Sequence, residues 1–258
     1  MAILLLISLL FSSAAGAIPA VAEGHGWYVK RAPDHKQPRI EAAYSYIEQY
    51  DGYYIDHRHG DEDADRVLYL TFDAGYENGN VAKILDTLKA EGVPGAFFIL
   101  DNLILRNEAL VRRMRDEGHL VCNHTLRHRD MSKVTDEDSF MRELSSLEAL
   151  YRERIGGEMA KYFRPPEGKF NEETMRMSQK LGYKTIFWSF AYADWDNQKQ
   201  PSQEAAIQKI LANTHNGAVI LLHPTSATNA AILPRLITEW RQMGYRFGTL
   251  DELTAEDA

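Results

Sequence analysis

The chain has 258 residues, 45% of them hydrophobic, with 29 Lys and Arg against 37 Asp and Glu for a formal net charge of −8. That length suits one large domain with a sizeable core, and the acidic balance, with no basic face apparent, argues against duplex nucleic acid as a partner. The single cysteine, Cys122, excludes an intramolecular disulfide.

Ile3 to Phe11 is an almost unbroken apolar run, and Ala15-Gly16-Ala17 and Ala20-Val21-Ala22 both have the small-x-small form that a signal peptidase accepts. The run is shorter than the roughly 20 residues a spanning helix needs. Residues 1–22 therefore read as a signal peptide and the protein as exported, although no Lys or Arg precedes the run. Residues 23–65 are polar and irregular, with a short helical piece over 40–49, and read as an N-terminal extension packed on the main domain of residues 66–258.

From residue 66 onward strands and helices alternate. Apolar runs predict strands at Val67–Phe72, Gly95–Leu100, Leu120–Asn123, Tyr162–Arg164, Lys184–Trp188, Ala218–Leu222 and Arg246–Thr249. Helical spacing predicts helices over Asn80–Glu91, Glu108–Glu117, Asp136–Arg154, Asn171–Leu181, Ser202–Thr214 and Ala230–Met243. Gly118 and Gly182 are stop signals, and Asn171 is an N-cap. Such alternation implies an α/β fold with a parallel sheet covered by helices, and about seven repeats favour a distorted (β/α) barrel.

In a parallel barrel, chemistry gathers where strands end. The residues found there are Asp73, Asn123-His124 with His128 four residues on, Arg164, Asp194-Trp195 and His223. A His-x-x-x-His pair can bring two imidazoles to one metal. Each residue alone has a plainer reading: a turn-capping Asp, a surface Arg, a satisfied buried His. Their coincidence at strand ends is enough for a metal-assisted hydrolase. Cys122, two residues before His124, reads either as a metal ligand or as a small buried strand residue. Trp188, Tyr192 and Trp195 form an aromatic cluster that either presents ring faces to a ligand or belongs to the core.

These segments resemble the five motifs of the family 4 carbohydrate esterases, the NodB-homology polysaccharide deacetylases. Thr71-Phe72-Asp73-Ala74-Gly75 is similar to the first motif, His124-Thr125-Leu126-Arg127-His128 to the second, and Arg164-Pro165-Pro166-Glu167-Gly168 to the third. Asp194-Trp195 is similar to the end of the fourth, and Leu221-Leu222-His223 to the fifth. The match runs in order over roughly residues 66–250. Asp73–Gly79 and the upstream Gly26–Arg31 further resemble the subgroup that deacetylates N-acetylmuramic acid in peptidoglycan, a step toward the muramic δ-lactam of spore cortex. The resemblance implies Asp73 as general base, His223 as general acid, Arg164 and Asp194 as their orienting partners, and His124 and His128 as ligands of a divalent metal, often zinc. Tyr192, Trp195 and Glu167 are then the substrate-binding residues, and a third-motif backbone N–H shares the oxyanion. The implied substrate is a peptidoglycan glycan strand, with no protein partner and a monomeric enzyme.

One position departs from the pattern. Ala74 stands where most of the family has a metal-binding Asp, so a metal there would be held weakly, be completed by substrate, or be dispensed with. The alternatives are deacetylation of chitin oligomers, peptidoglycan glucosamine or acetyl-xylan, and a non-catalytic glycan-binding protein.

Overall fold

The computed structural model describes residues 24–255, so the signal-peptide reading of residues 1–22 lies outside the described residues. Among the described residues ten strands form, numbered β1 (His25–Gly26), β2 (Gly52–Tyr53), β3 (Arg66–Ala74), β4 (Ala96–Ile99), β5 (Leu120–Asn123), β6 (Ala160–Phe163), β7 (Lys169–Phe170), β8 (Lys184–Ile186), β9 (Ala218–Leu222) and β10 (Tyr245–Phe247). The helices are α1 (Val81–Glu91), α2 (Asp101–Arg106), α3 (Glu108–Asp116), α4 (Glu137–Arg154), α5 (Glu172–Lys180), α6 (Gln203–Ala212), α7 (Ala227–Gln242) and α8 (Leu250–Leu253).

The seven predicted strands all appear, and every ladder among them is parallel. The main sheet runs β10-β3-β4-β5-β6-β8-β2, with β9 also paired to β3. Its ends approach through Ser189 and Phe190. The Ser189 N–H donates to Val219 O at 2.9 Å and the Leu221 N–H to Phe190 O at 2.9 Å. That short bridge, in place of a full ladder, makes the barrel distorted.

Both faces of the sheet are buried, which is why its strands read as continuous apolar runs. Along β3 the even-numbered residues Leu68, Leu70, Phe72 and Ala74 face the surrounding helices and join the largest apolar cluster. The odd-numbered Val67 and Tyr69 fill the barrel interior with Phe98, Cys122, Ile186 and Val219. Cys122 is fully buried there, and burial holds its thiol well above the ordinary range. It is a packing residue.

Helix ends follow local chemistry. Asn171 caps α5 by accepting from the Thr174 N–H at 2.9 Å. Gly92 closes α1 at φ 62°, a left-handed conformation that glycine adopts without strain. α7 starts three residues before the predicted Ala230, because the Ser226 hydroxyl caps it by accepting from the Asn229 N–H at 3.0 Å.

The extension is woven into the barrel. β2 adds a parallel strand beside β8, and β1 pairs antiparallel with β7. The helical piece expected over 40–49 is a 3-10 helix, Ala42–Tyr50, whose Ile47 is fully buried. Trp27 stacks on Phe187 with ring centroids 4.3 Å apart, and its indole N–H donates to Trp188 O at 2.8 Å.

Candidate active site

The C-terminal rim of the barrel surrounds a pocket of about 800 Å³, lined among others by Asp73, Tyr76, His124, His128, Glu167, Tyr192, Trp195 and His223. Asp73 reaches it as the last interior-facing residue of β3. Below it in the same row, Thr71 donates its hydroxyl to Ile220 O at 2.8 Å and accepts from Arg164 Nη2 at 2.9 Å.

Arg164 follows β6, and its side chain is completely buried inside the barrel. Its guanidinium lies over the Phe98 ring at 4.2 Å. Nε donates to Ile186 O at 2.9 Å, Nη2 also donates to Phe187 O at 3.1 Å, and Nη1 donates to Asp73 Oδ1 at 2.8 Å. A buried guanidinium with its donors satisfied is a fixed positive charge. Burial alone would raise the Asp73 carboxyl. That is the largest single influence, but the Arg164 charge, the charges of His124 and His223 and the Arg164 hydrogen bond together outweigh it, and the net shift is downward. Asp73 is therefore ionised, with one oxygen held and Oδ2 facing the pocket.

Oδ2 lies 3.6 Å from His124 Nε2. His124 Nδ1 is 2.8 Å from Arg164 O, so that nitrogen carries the proton and donates, leaving the Nε2 lone pair toward the pocket. Burial pushes the His124 pKa down to about 4, which keeps the ring neutral at neutral pH. The preceding Asn123 anchors the turn: its amide donates to Leu144 O and Tyr183 OH, and its Oδ1 accepts from the Thr125 N–H. Thr125 and His128 both take positive φ, 72° and 58°, and this tight turn sets the two imidazole centroids 5.0 Å apart.

Opposite them, the His223 Nδ1–H donates to Asp194 Oδ1 at 2.7 Å, while its backbone N–H donates to Asp194 Oδ2 at 2.8 Å. Burial, the largest single influence, opposes charge on His223, but the Asp194 hydrogen bond, the Asp194 charge and the Asp73 charge together outweigh it and the pKa is raised. One rim thus carries a low-pKa carboxylate and a high-pKa imidazole, the arrangement of an acid–base pair.

The expected substrate-binding residues all line this pocket. Trp195 is 63% exposed, available for stacking. Tyr192 is nearly buried, and its hydroxyl donates to Asn229 Oδ1, away from the pocket, so only its ring is presented. Glu167 takes positive φ, 57°, on the rim, where its carboxylate pairs with Lys169 at 2.8 Å. Three features went unread in the sequence: Thr71 beneath Arg164, Asn229 beside Asp194, and Tyr76, which lines the pocket and accepts from Asn197 Nδ2 at 2.6 Å. Thr71 and Tyr76 had a sequence signal, one opening the first motif and the other directly after it, whereas Asn229 had none.

The imidazoles suit a divalent metal: His124 is neutral with its tautomer set, and His128 stands beside it. Among the described residues no three His, Cys, Asp or Glu side chains gather as a metal-binding group. Ala74 is fully buried in the apolar cluster, contributes no donor, and is not among the pocket-lining residues.

Comparison with known proteins agrees with this fold. The polysaccharide deacetylase family pattern matches residues 60–186. The chain is 36% identical over 249 residues to the peptidoglycan-N-acetylmuramic acid deacetylase PdaA of Bacillus subtilis, covering 96% of this chain and 92% of that protein. The structure of Bacillus subtilis PdaA, a family 4 carbohydrate esterase, superposes with a TM-score of 0.83, covering 90% of this chain and 97% of that one. A family 4 carbohydrate esterase from Bacillus anthracis, 33% identical, gives a TM-score of 0.72 over 90% of this chain and 96% of its own. Deacetylases of this family are in general metal-dependent. With matching sequence along nearly its whole length and the same fold, the chain belongs to the polysaccharide deacetylase family.

Proposed function

We propose that this protein hydrolyses the N-acetyl group of N-acetylmuramic acid in peptidoglycan glycan strands, releasing acetate and leaving a free amine. The observation that carries the reading is the pair of oppositely tuned dyads, Asp73–Arg164 and His223–Asp194, facing one pocket. The choice of sugar rests on the 36% identity to a protein named for that activity.

Asp73, held ionised by Arg164, takes a proton from the attacking water through its free Oδ2. The oxygen adds to the acetyl carbon and a tetrahedral oxyanion forms, with a third-motif backbone N–H as donor. As the C–N bond breaks, the protonated His223 gives its Nε2 proton to the leaving amine, which is too basic to depart unprotonated. Asp194 keeps the imidazole oriented and charged until then. His124 and His128 would hold a divalent metal, which when bound supplies electrophilic polarisation of the acetyl carbonyl and makes water more acidic. Trp195 and the Tyr192 ring pack against the sugar, and Glu167 bounds it at the rim. The protein acts as an exported, monomeric enzyme on the cell wall. Among the described residues no helix is long and apolar enough to cross a membrane.

The test is incubation of the protein with peptide-stripped glycan strands, with zinc and with a chelator, followed by mass-spectrometric mapping of lost acetyl groups. Loss from muramic acid is the expected result. Loss only from glucosamine residues would reassign the substrate, and no loss from any sugar would sink the enzymatic reading.

A further inference from the structure

Behind the Asp194–His223 pair lies a residue that belongs to none of the five motifs. Asn229 sits in the first turn of α7, 1% exposed and not among the pocket-lining residues. Its Nδ2 donates to Asp194 Oδ2 at 2.6 Å and approaches His223 O at 3.1 Å, and its Oδ1 accepts from the Tyr192 hydroxyl. Its backbone N–H donates to the Ser226 hydroxyl oxygen at 3.0 Å; that hydroxyl in turn donates to Gln200 Oε1, and Gln200 Nε2 donates to Asp194 O at 2.8 Å. Asp194 is thus gripped at its carboxylate and at its backbone by one connected network.

The chemistry of the two neighbours fixes the amide orientation. An ionised carboxylate only accepts, so the NH₂ must face Asp194; the carbonyl then faces Tyr192, whose hydroxyl can donate. No other side chain of this size carries a neutral donor at one end and an acceptor at the other. With the backbone N–H of His223 also on Oδ2, that oxygen is saturated, and Oδ1 is left as the site for the imidazole proton.

We propose that Asn229, locked by Tyr192, is a positioning residue that holds Asp194 in the one rotamer that presents Oδ1 to His223 and moderates how strongly Asp194 holds the imidazolium proton. The proposal rests on the reading of His223 as general acid. The charged groups facing His223 are Asp194, Asp73 on β3 and Arg164 after β6. Removing a donor from Asp194 concentrates its charge on the Nδ1 proton, so the imidazolium is held more tightly and gives up its proton at higher pH.

The test uses the full chain with N229L, N229D and Y192F. Two readouts are followed: the pH midpoint of the His223 ring by NMR, assigned with H223Q, and the pH profiles of kcat and KM. For N229L the His223 midpoint rises, and kcat falls by about 10- to 100-fold, the usual loss on removing an orienting partner, while KM stays within about twofold. Y192F gives the same changes, smaller. A wild-type kcat and midpoint in N229L, or a lower kcat with an unmoved midpoint, overturns the proposal, the second outcome assigning Asn229 to packing alone. Should N229L fail to fold, N229D decides, being isosteric. Two carboxylates at hydrogen-bond distance share one proton, so N229D gains an ionisation step that wild type lacks; a superimposable titration curve overturns the proposal. The NMR midpoint needs no turnover. Failure of the general-acid reading, seen as retained activity in H223Q, is therefore distinct from failure of the positioning role.

Discussion

The two ends of the barrel each bury a carboxylate against an arginine, and only one of those carboxylates lines the pocket. At the N-terminal end, Asp56 is almost fully enclosed, and both its oxygens are occupied. Oδ1 accepts from the Arg58 N–H and Nε, each at 3.0 Å, and Oδ2 accepts from Arg58 Nη2 at 2.9 Å and from the Tyr69 hydroxyl at 2.5 Å. At the other end Arg164 takes only Oδ1 of Asp73 and spends its remaining donors on Thr71 and two backbone carbonyls. Both carboxyls titrate below the usual range. The ion pair itself therefore does not distinguish structure from catalysis. What differs is whether a lone pair is left over: Asp56 has none toward solvent, and Asp73 has one directed at the pocket.

Substitution at each end sharpens that contrast. D73N should lower kcat by about 10²- to 10⁴-fold, the usual worth of a general base, with a melting curve close to wild type. D56A should leave kcat intact and destabilise the fold by about 3–5 kcal/mol, the cost of stranding a buried partner; a D56A enzyme with full stability would break the comparison. H223A should match D73N in activity loss.

The raised His223 pKa gives a sign to the pH dependence. The general acid is needed protonated, so kcat should decline only as pH rises past a midpoint above the ordinary imidazole value of about 6.5, read from a pH–rate profile. The same shift contributes stability that is complete below the ordinary value and is lost as pH climbs through the raised one. An alkaline limb centred below the ordinary value would contradict the Asp194 pairing.

Smaller effects come from the rim and from position 74. W195A should raise KM by about 2- to 10-fold, the range for loss of one aromatic contact, with kcat little changed. A74D should tighten zinc binding in a calorimetric titration and lower the melting temperature, because the replaced methyl is fully buried among apolar side chains. Unchanged zinc affinity would show that a carboxylate at 74 does not reach the imidazoles.

Much of this was legible along the chain. Buried parallel strands are unbroken apolar runs, and polar residues at their ends stand out against them, so Asp73, His124, His128, Asp194 and His223 could be placed on one rim before any coordinates. Arg164 was placed at that rim too, whereas its guanidinium turns inward and sits beneath Asp73. Sequence position shows where a strand stops but not which way a long side chain bends. β2 escaped notice because two residues carry no periodicity, and α2 because six residues after a strand look like a loop. Asn229 was hidden for another reason: its side-chain partners Asp194 and Tyr192 lie 35 and 37 residues away along the chain.

The pairing of β1 with β7 bears on how the protein can be matured. Trp27 packs under the third-motif loop: its backbone N–H donates to Gly168 O at 2.9 Å, and Gly168, at φ 64°, has no room for a side chain between Trp27 and Trp188. A protease that cut upstream of β1 would leave these floor residues in the chain. One that cut after Gly26 would remove β1 and unmoor the loop carrying Glu167, so the downstream limit of any N-terminal processing is written into the wall of the pocket itself.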